Sequence, residues 1–182
     1  MPRWVCRSLD GGLGNLCLAA LLAGCTASNE RCELLRSDFE QFDGWVSPLP
    51  GFLTTEQAHS GRYAYRMAPG AEYGPGYSTT FEKCGFIPRE LRLSTWAYLR
   101  NGRVRATILV VAVNCHGRRP DVWQGLNLDQ TVARYQVWVP VQKHISLPDD
   151  LQPTDEIKVY LWHAEGGGEL LFLDDLKLEG WP

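Results

Sequence analysis

Two carboxylates stand side by side near the C-terminus, Asp174 and Asp175 in ELLFLDDLKLEG. The stretch reads as a β-strand, and neighbouring strand side chains point to opposite faces. Asp174 then shares a face with Leu170, Phe172, Leu176 and Leu178, while Asp175 points the other way with Glu169, Lys177 and Glu179. An unpaired carboxylate on an apolar face costs several kcal/mol or loses its charge, so Asp174 requires a partner. One partner is a hard cation such as calcium, which takes about six to eight oxygens. The other is a set of backbone N–H groups where the strand ends or bulges. Both stay open at this level.

A second chemistry lies in the aromatic residues. The chain has 7 Trp and 7 Tyr in 182 residues, and they alternate with aliphatic positions. In 91–100, Leu91, Leu93, Thr95, Ala97 and Leu99 oppose Arg92, Ser94, Trp96, Tyr98 and Arg100. In 157–163, Ile157, Val159 and Leu161 oppose Lys158, Tyr160 and Trp162. In 133–141, Tyr135, Val137, Val139 and Val141 oppose Arg134, Gln136 and Trp138. Trp96, Tyr98, Trp123, Trp138, Tyr160 and Trp162 are thus expected on one sheet surface, with Arg92 and Arg134 among them. A flat ring takes the C–H face of a sugar, and the Arg, Gln and Asn side chains hydrogen-bond its hydroxyls. The competing expectation is that loops such as 115–121 or 146–156 cover the rings as a minor core.

No catalytic set is recognisable. His59, His116, His144 and His163 are scattered, and there is no G-x-S-x-G elbow. Glu72, Glu82, Asp121 and Asp129 show none of the pairing that a glycosidase requires. The sequence therefore assigns no catalytic residue and points away from an enzyme.

The elements that must carry these residues are strands. Turn signals separate them, among them NGR, HGRRPD, LPDDLQPTD and AEGGG. Strands are expected at 62–67, at YSTTFEK, and at 91–100, 104–114, 121–128, 133–141, 143–147, 157–163 and 169–179, with one helical turn at 129–133. The 104–114 strand is apolar on both faces and suits a central position. Many short strands with Gly/Pro turns argue an all-β jelly-roll sandwich of two antiparallel sheets. The net charge of −3 and the lack of any Lys/Arg cluster exclude a nucleic-acid partner from this reading.

The N-terminus reads differently. Arg3 and Arg7 precede an apolar run, 16–23, too short to span a bilayer. Leu22-Ala23-Gly24-Cys25 resembles the lipobox of bacterial lipoproteins. That resemblance implies a signal peptide over 1–24, lipidation (palmitate among the acyl chains) of Cys25, a tether over 25–34 and a domain over 35–182. It also implies a membrane partner through the lipid. Thr26 is not the aspartate of an inner-membrane retention signal, which implies the outer membrane of the cell envelope. Of the remaining cysteines, Cys32, Cys84 and Cys115, one bridge is possible in an exported protein. A hairpin of 91–100 with 104–114, turning at Asn101-Gly102, sets Cys115 beside the loop of Cys84, so Cys84–Cys115 is the expected disulfide.

Taken in order, SDFEQFDGW, AHSGRYAYRM, STWAYL and IKVYLWHAEGGGELLFLDDLKL resemble the carbohydrate-binding modules of galactose-binding-like jelly-roll fold, over about residues 36–180. The resemblance implies glycan binding without catalysis. It also implies a structural calcium joining the first strand, the SG loop and the closing Asp. Carried over, Glu40 and Asp174 are the side-chain ligands, with carbonyls near Ser60-Gly61. MAM-type adhesion domains share the outline, which keeps open a structural or adhesion lipoprotein with an envelope protein partner.

Overall fold

A computed structural model describes residues 31–46, 50–164 and 169–182. The 1–24 segment and the lipidation residue Cys25 lie outside the described residues. The strands are β1 (Cys32–Ser37), β2 (Trp45–Val46), β3 (Leu53–Thr54), β4 (Ala64–Met67), β5 (Gly76–Thr80), β6 (Glu90–Leu99), β7 (Thr107–Asn114), β8 (Val122–Asn127), β9 (Trp138–Ser146), β10 (Glu156–His163) and β11 (Leu171–Trp181). One helical turn, α1 (Leu128–Thr131), follows β8.

They form the expected sandwich of two antiparallel sheets. The first sheet runs β3-β4-β11-β6-β9, with β1 also on β11; the second runs β2-β5-β10-β7-β8. The alternating aliphatics meet between them. Leu91, Leu93, Ala97 and Leu99 of β6 pack in one core with Leu109, Val111 and Val113 of β7 and Ile157, Val159 and Leu161 of β10. β7 has neighbours on both sides, as its doubly apolar middle requires.

Three expectations are corrected here. First, β6 and β7 are not a hairpin: they belong to different sheets. The turn between them carries the chain across the sandwich and takes Cys115 away from Cys84. The disulfide is Cys32–Cys84, with Cα atoms 5.2 Å apart, and Cys115 is a buried free thiol. β1 therefore starts within the segment read as tether, and its first residue is cross-linked. Second, 133–141 and 143–147 are one strand, β9, that starts only at Trp138. Gln136 has φ 58° and donates its N–H to the Leu99 carbonyl, so the chain bends there, leaving Tyr135 and Val137 exposed. Third, β11 carries a bulge. Asp174 pairs with Trp96, but Lys177 pairs with Ser94, so Asp175 and Leu176 together oppose Thr95. Asp175 adopts φ 49° at the bulge.

The bulge shifts the phase of the strand. Leu171, Leu173, Leu176 and Leu178 enter the core. Phe172 and Asp174 lie on the outer face, opposite Tyr98 and Trp96. It also marks where β11 changes partner on its other edge, from β4 at Leu171–Leu173 to β1 at Leu176–Gly180.

Candidate functional site

The two sheets turn aromatic residues to opposite sides of the molecule, which corrects the single surface expected for them. Trp96, Tyr98 and Trp138 stand on the outer face of the first sheet, and Tyr160, Trp162 and Trp123 on that of the second.

On the first face Asp174 is fully buried, but outside the core, beneath the His59–Ser60 loop. Its Oδ2 accepts the N–H groups of His59 and Ser60 at 2.7 and 3.0 Å, and its Oδ1 accepts that of Asp175 at 2.8 Å. Burial raises its carboxyl above the usual range, while the amides of Ser60, Asp175 and His59 pull it back down. Glu40 does the same for the next turn: its Oε1 accepts the N–H groups of Arg62 and Tyr63, both at 2.7 Å. Gly61, at φ 58°, makes room, since a Cβ there would come 2.6 Å from that oxygen. Glu40 and Asp174 therefore face backbone N–H donors and do not fit a calcium cage, which requires oxygens. Among the described residues no group of three or more His, Cys, Asp or Glu could hold a metal ion.

The same loop covers aromatic surface. His59 stacks on Trp96 with centroids 3.9 Å apart and 17° between planes, and its Nδ1 bonds Asp175 Oδ2 at 2.7 Å. Tyr98 meets Trp138 and Phe172 edge-on at 5.6 and 5.7 Å. Arg92 is spent on Glu179, at 2.6 Å, and on the Trp181 ring. Arg134, read as a sheet residue, is exposed on the coil before β9.

The second face is open. Trp162 is the centre of the cluster, with Tyr73 parallel to it at 6.2 Å and 8°, and Trp123 upright against it at 6.0 Å and 85°. Trp123 Nε1 donates to Tyr160 Oη at 3.3 Å. Tyr73 and Trp123 are 53% and 47% exposed, the most open aromatic rings on this face. Gly125 makes room for the Trp123 ring: a Cβ there would come 3.2 Å from the indole and 2.4 Å from Ile108.

Beside the cluster runs a groove of about 380 Å³ lined by Tyr73, Gly76, Ser78, Glu156, Lys158 and Tyr160. Its floor is low because Gly76 and Ser78 have little or no side chain. Its polar end is fixed: Ser78 Oγ donates to Glu156 at 2.7 Å, and Lys158 Nζ sits 3.2 Å from Glu156. The Ser78 hydrogen bond, helped by Lys158, lowers the Glu156 carboxyl below the usual range against the opposing effect of burial.

Sequence reasoning missed Tyr73 as a site residue. It opens YGPGY, a stretch with the Gly/Pro content of a turn, yet it bridges to Trp162 as if it were a strand residue. The signal was its spacing, with only Gly74-Pro75 separating it from β5.

No family model and no curated protein matches this sequence. Solved structures do match in shape. A family 22 carbohydrate-binding module of Clostridium thermocellum Xyn10B superposes with a TM-score of 0.56 at 14% identity, over 84% of this chain and 94% of that one. The xylan-binding CBM22-1 domain of Paenibacillus barcinonensis Xyn10C gives 0.51 at 21% identity, over 80% and 92%. A family 16 carbohydrate-binding module gives 0.51 at 16% identity, over 75% and 91%. The described domain thus has the β-sandwich fold of these carbohydrate-binding modules.

Proposed function

We propose that this protein is a non-catalytic glycan-binding module held at the cell envelope as a lipoprotein of the outer membrane, and that the outer face of the second sheet is its binding surface. The observation that carries the reading is the ring corner of Tyr73, Trp162 and Trp123 over an open groove with a fixed polar end. Rings set at 85° do not make a flat platform for a crystalline surface. They make a floor and a wall, which suits one chain of pyranose units. Each ring offers its π-face to sugar C–H groups, and Ser78, Glu156 and Lys158 offer hydrogen bonds to the hydroxyls. The carbohydrate modules of like fold support the same reading, two of them named for xylan or for ligand binding in a cleft.

Calorimetric titration against a panel of neutral oligosaccharides checks it. Tyr73→Ala and Trp123→Ala, at exposed positions, are each expected to weaken binding about tenfold, the loss of one stacked ring. A panel without a ligand, or affinity unchanged in both variants, overturns the proposal.

The envelope anchor rests on the apolar run and the Leu22-Ala23-Gly24-Cys25 tetrapeptide. Several acyl chains on Cys25 give stable membrane attachment where one is marginal. Cys25→Ala is expected to move the expressed protein from the detergent phase to the aqueous phase in phase partition. Unchanged partition would remove the anchor.

A further inference from the structure

The outer face of the first sheet can be described row by row across its strands. Trp138, Tyr98 and Phe172 form an aromatic row, followed by Pro140, Trp96 and Asp174. The next row is Gln142, Ser94, Lys177 and Arg36. Ser94 is the small member between larger neighbours, and a groove of about 490 Å³ opens over it, lined by Trp96, Gln142, Asp175 and Lys177.

The charges in this row are unusual. Lys177 of β11 stands directly opposite Arg36 of β1, and like charges directly opposite across strands repel. Among the described residues Lys177 has no ion-pair partner, and Arg36 has only the exposed Glu33, 3.8 Å away. Such a surface pair contributes little. The one acid on the groove wall is already engaged: Asp175 accepts from Ser60 Oγ at 2.9 Å and pairs with His59. Lys177 is therefore left with unspent donors, and the Lys177–Arg36 end of the row carries more positive charge than the exposed Glu33 offsets. Its aromatic wall is braced, because His59 supports the Trp96 indole and Asp174 fixes the His59 backbone. A ring held this way loses little freedom when something binds beside it.

We infer that this groove is a second, separate carbohydrate site, selective for acidic sugars. The pyranose ring of a uronic acid unit lies against Trp96, its hydroxyls meet Ser94 and Gln142, and its carboxylate sits between Lys177 and Arg36. The anion relieves the repulsion between the two cations and accepts charge-assisted hydrogen bonds from them. This site stands on its own residues and does not require that the other face bind sugar.

The test is calorimetric titration of the full chain with trigalacturonate and, separately, with a neutral trisaccharide. Trigalacturonate is expected to bind, and to bind about tenfold more weakly to Lys177→Gln, with a further loss in Lys177→Gln/Arg36→Gln. Binding should weaken as sodium chloride is raised, since the contacts are solvent-accessible. Both substitutions are at surface positions, so the fold is retained, and neutral-sugar binding at the other face stays unchanged. Ser94→Leu fills the groove and is expected to abolish trigalacturonate binding alone. Failure to bind trigalacturonate overturns the inference, as does equal affinity in the double variant. Loss of trigalacturonate binding in Trp123→Ala also overturns it, by placing the acidic sugar on the other face, whereas loss of neutral-sugar binding alone concerns only that face.

Discussion

Asp174→Ala is expected to lose about 4 kcal/mol of stability in urea unfolding, because it strands several buried N–H donors that each cost about 1–3 kcal/mol unpaired. The donors are those of His59, Ser60 and Asp175. Their loss frees the loop that supports Trp96 and opens the bulge at the middle of β11. For a domain of this size the melting temperature falls by about 10 °C. Asp174→Asn keeps one acceptor oxygen and is expected to fall between Ala and wild type. The same melts run in excess EDTA and in millimolar calcium check that backbone amides, and not a cation, hold this acid. Equal melting temperatures leave the amides as the holders. A fall in EDTA as large as that of Asp174→Ala would show that a bound cation does the work, since a ligand of the native state alone stabilises it by mass action.

The second large effect is reduction of Cys32–Cys84. The bond closes a loop with a sequence separation of 52. In the chain-entropy account, closing a loop of that length stabilises the fold by about 4 kcal/mol. Unfolding with and without dithiothreitol, and of Cys32→Ser/Cys84→Ser, is expected to show a loss of that order. The sensitivity to reductant must persist in Cys115→Ala, because Cys115 is a lone buried thiol. If Cys115→Ala abolished it, the pairing would be Cys84–Cys115 instead.

The strand faces were legible in the amino-acid sequence wherever alternation was clean. In β6 and β10 the aliphatic and aromatic positions fall as read, with Leu91, Leu93, Ile157 and Val159 in the core. What alternation does not carry is its own interruption. One extra residue, Asp175 with φ 49°, reverses the faces of everything before it, and nothing in LDDL marks an extra residue. Nor does alternation say which sheet a strand joins. Trp96 and Trp162 both oppose aliphatics, yet they face opposite sides of the molecule, because β6 and β10 belong to different sheets. The disulfide failed for the same reason: Asn101-Gly102 signals a tight turn, and here the chain crosses between layers. The partner of Asp174 lies 115 residues away along the chain, in the His59 loop, and only the assembled first sheet brings the two together.

The placement of Cys32 has a mechanical consequence. Cys32 opens β1, pairs with Gly180 at the end of β11, and is bonded to Cys84. A pull arriving through the N-terminal segment reaches this cysteine before it reaches any of the ladder beyond. The covalent bond diverts the load to the segment ahead of β6, so β1 cannot be peeled away one hydrogen bond at a time. Under such a pull the load is borne by a bond, and the two sheets keep their shape beneath it.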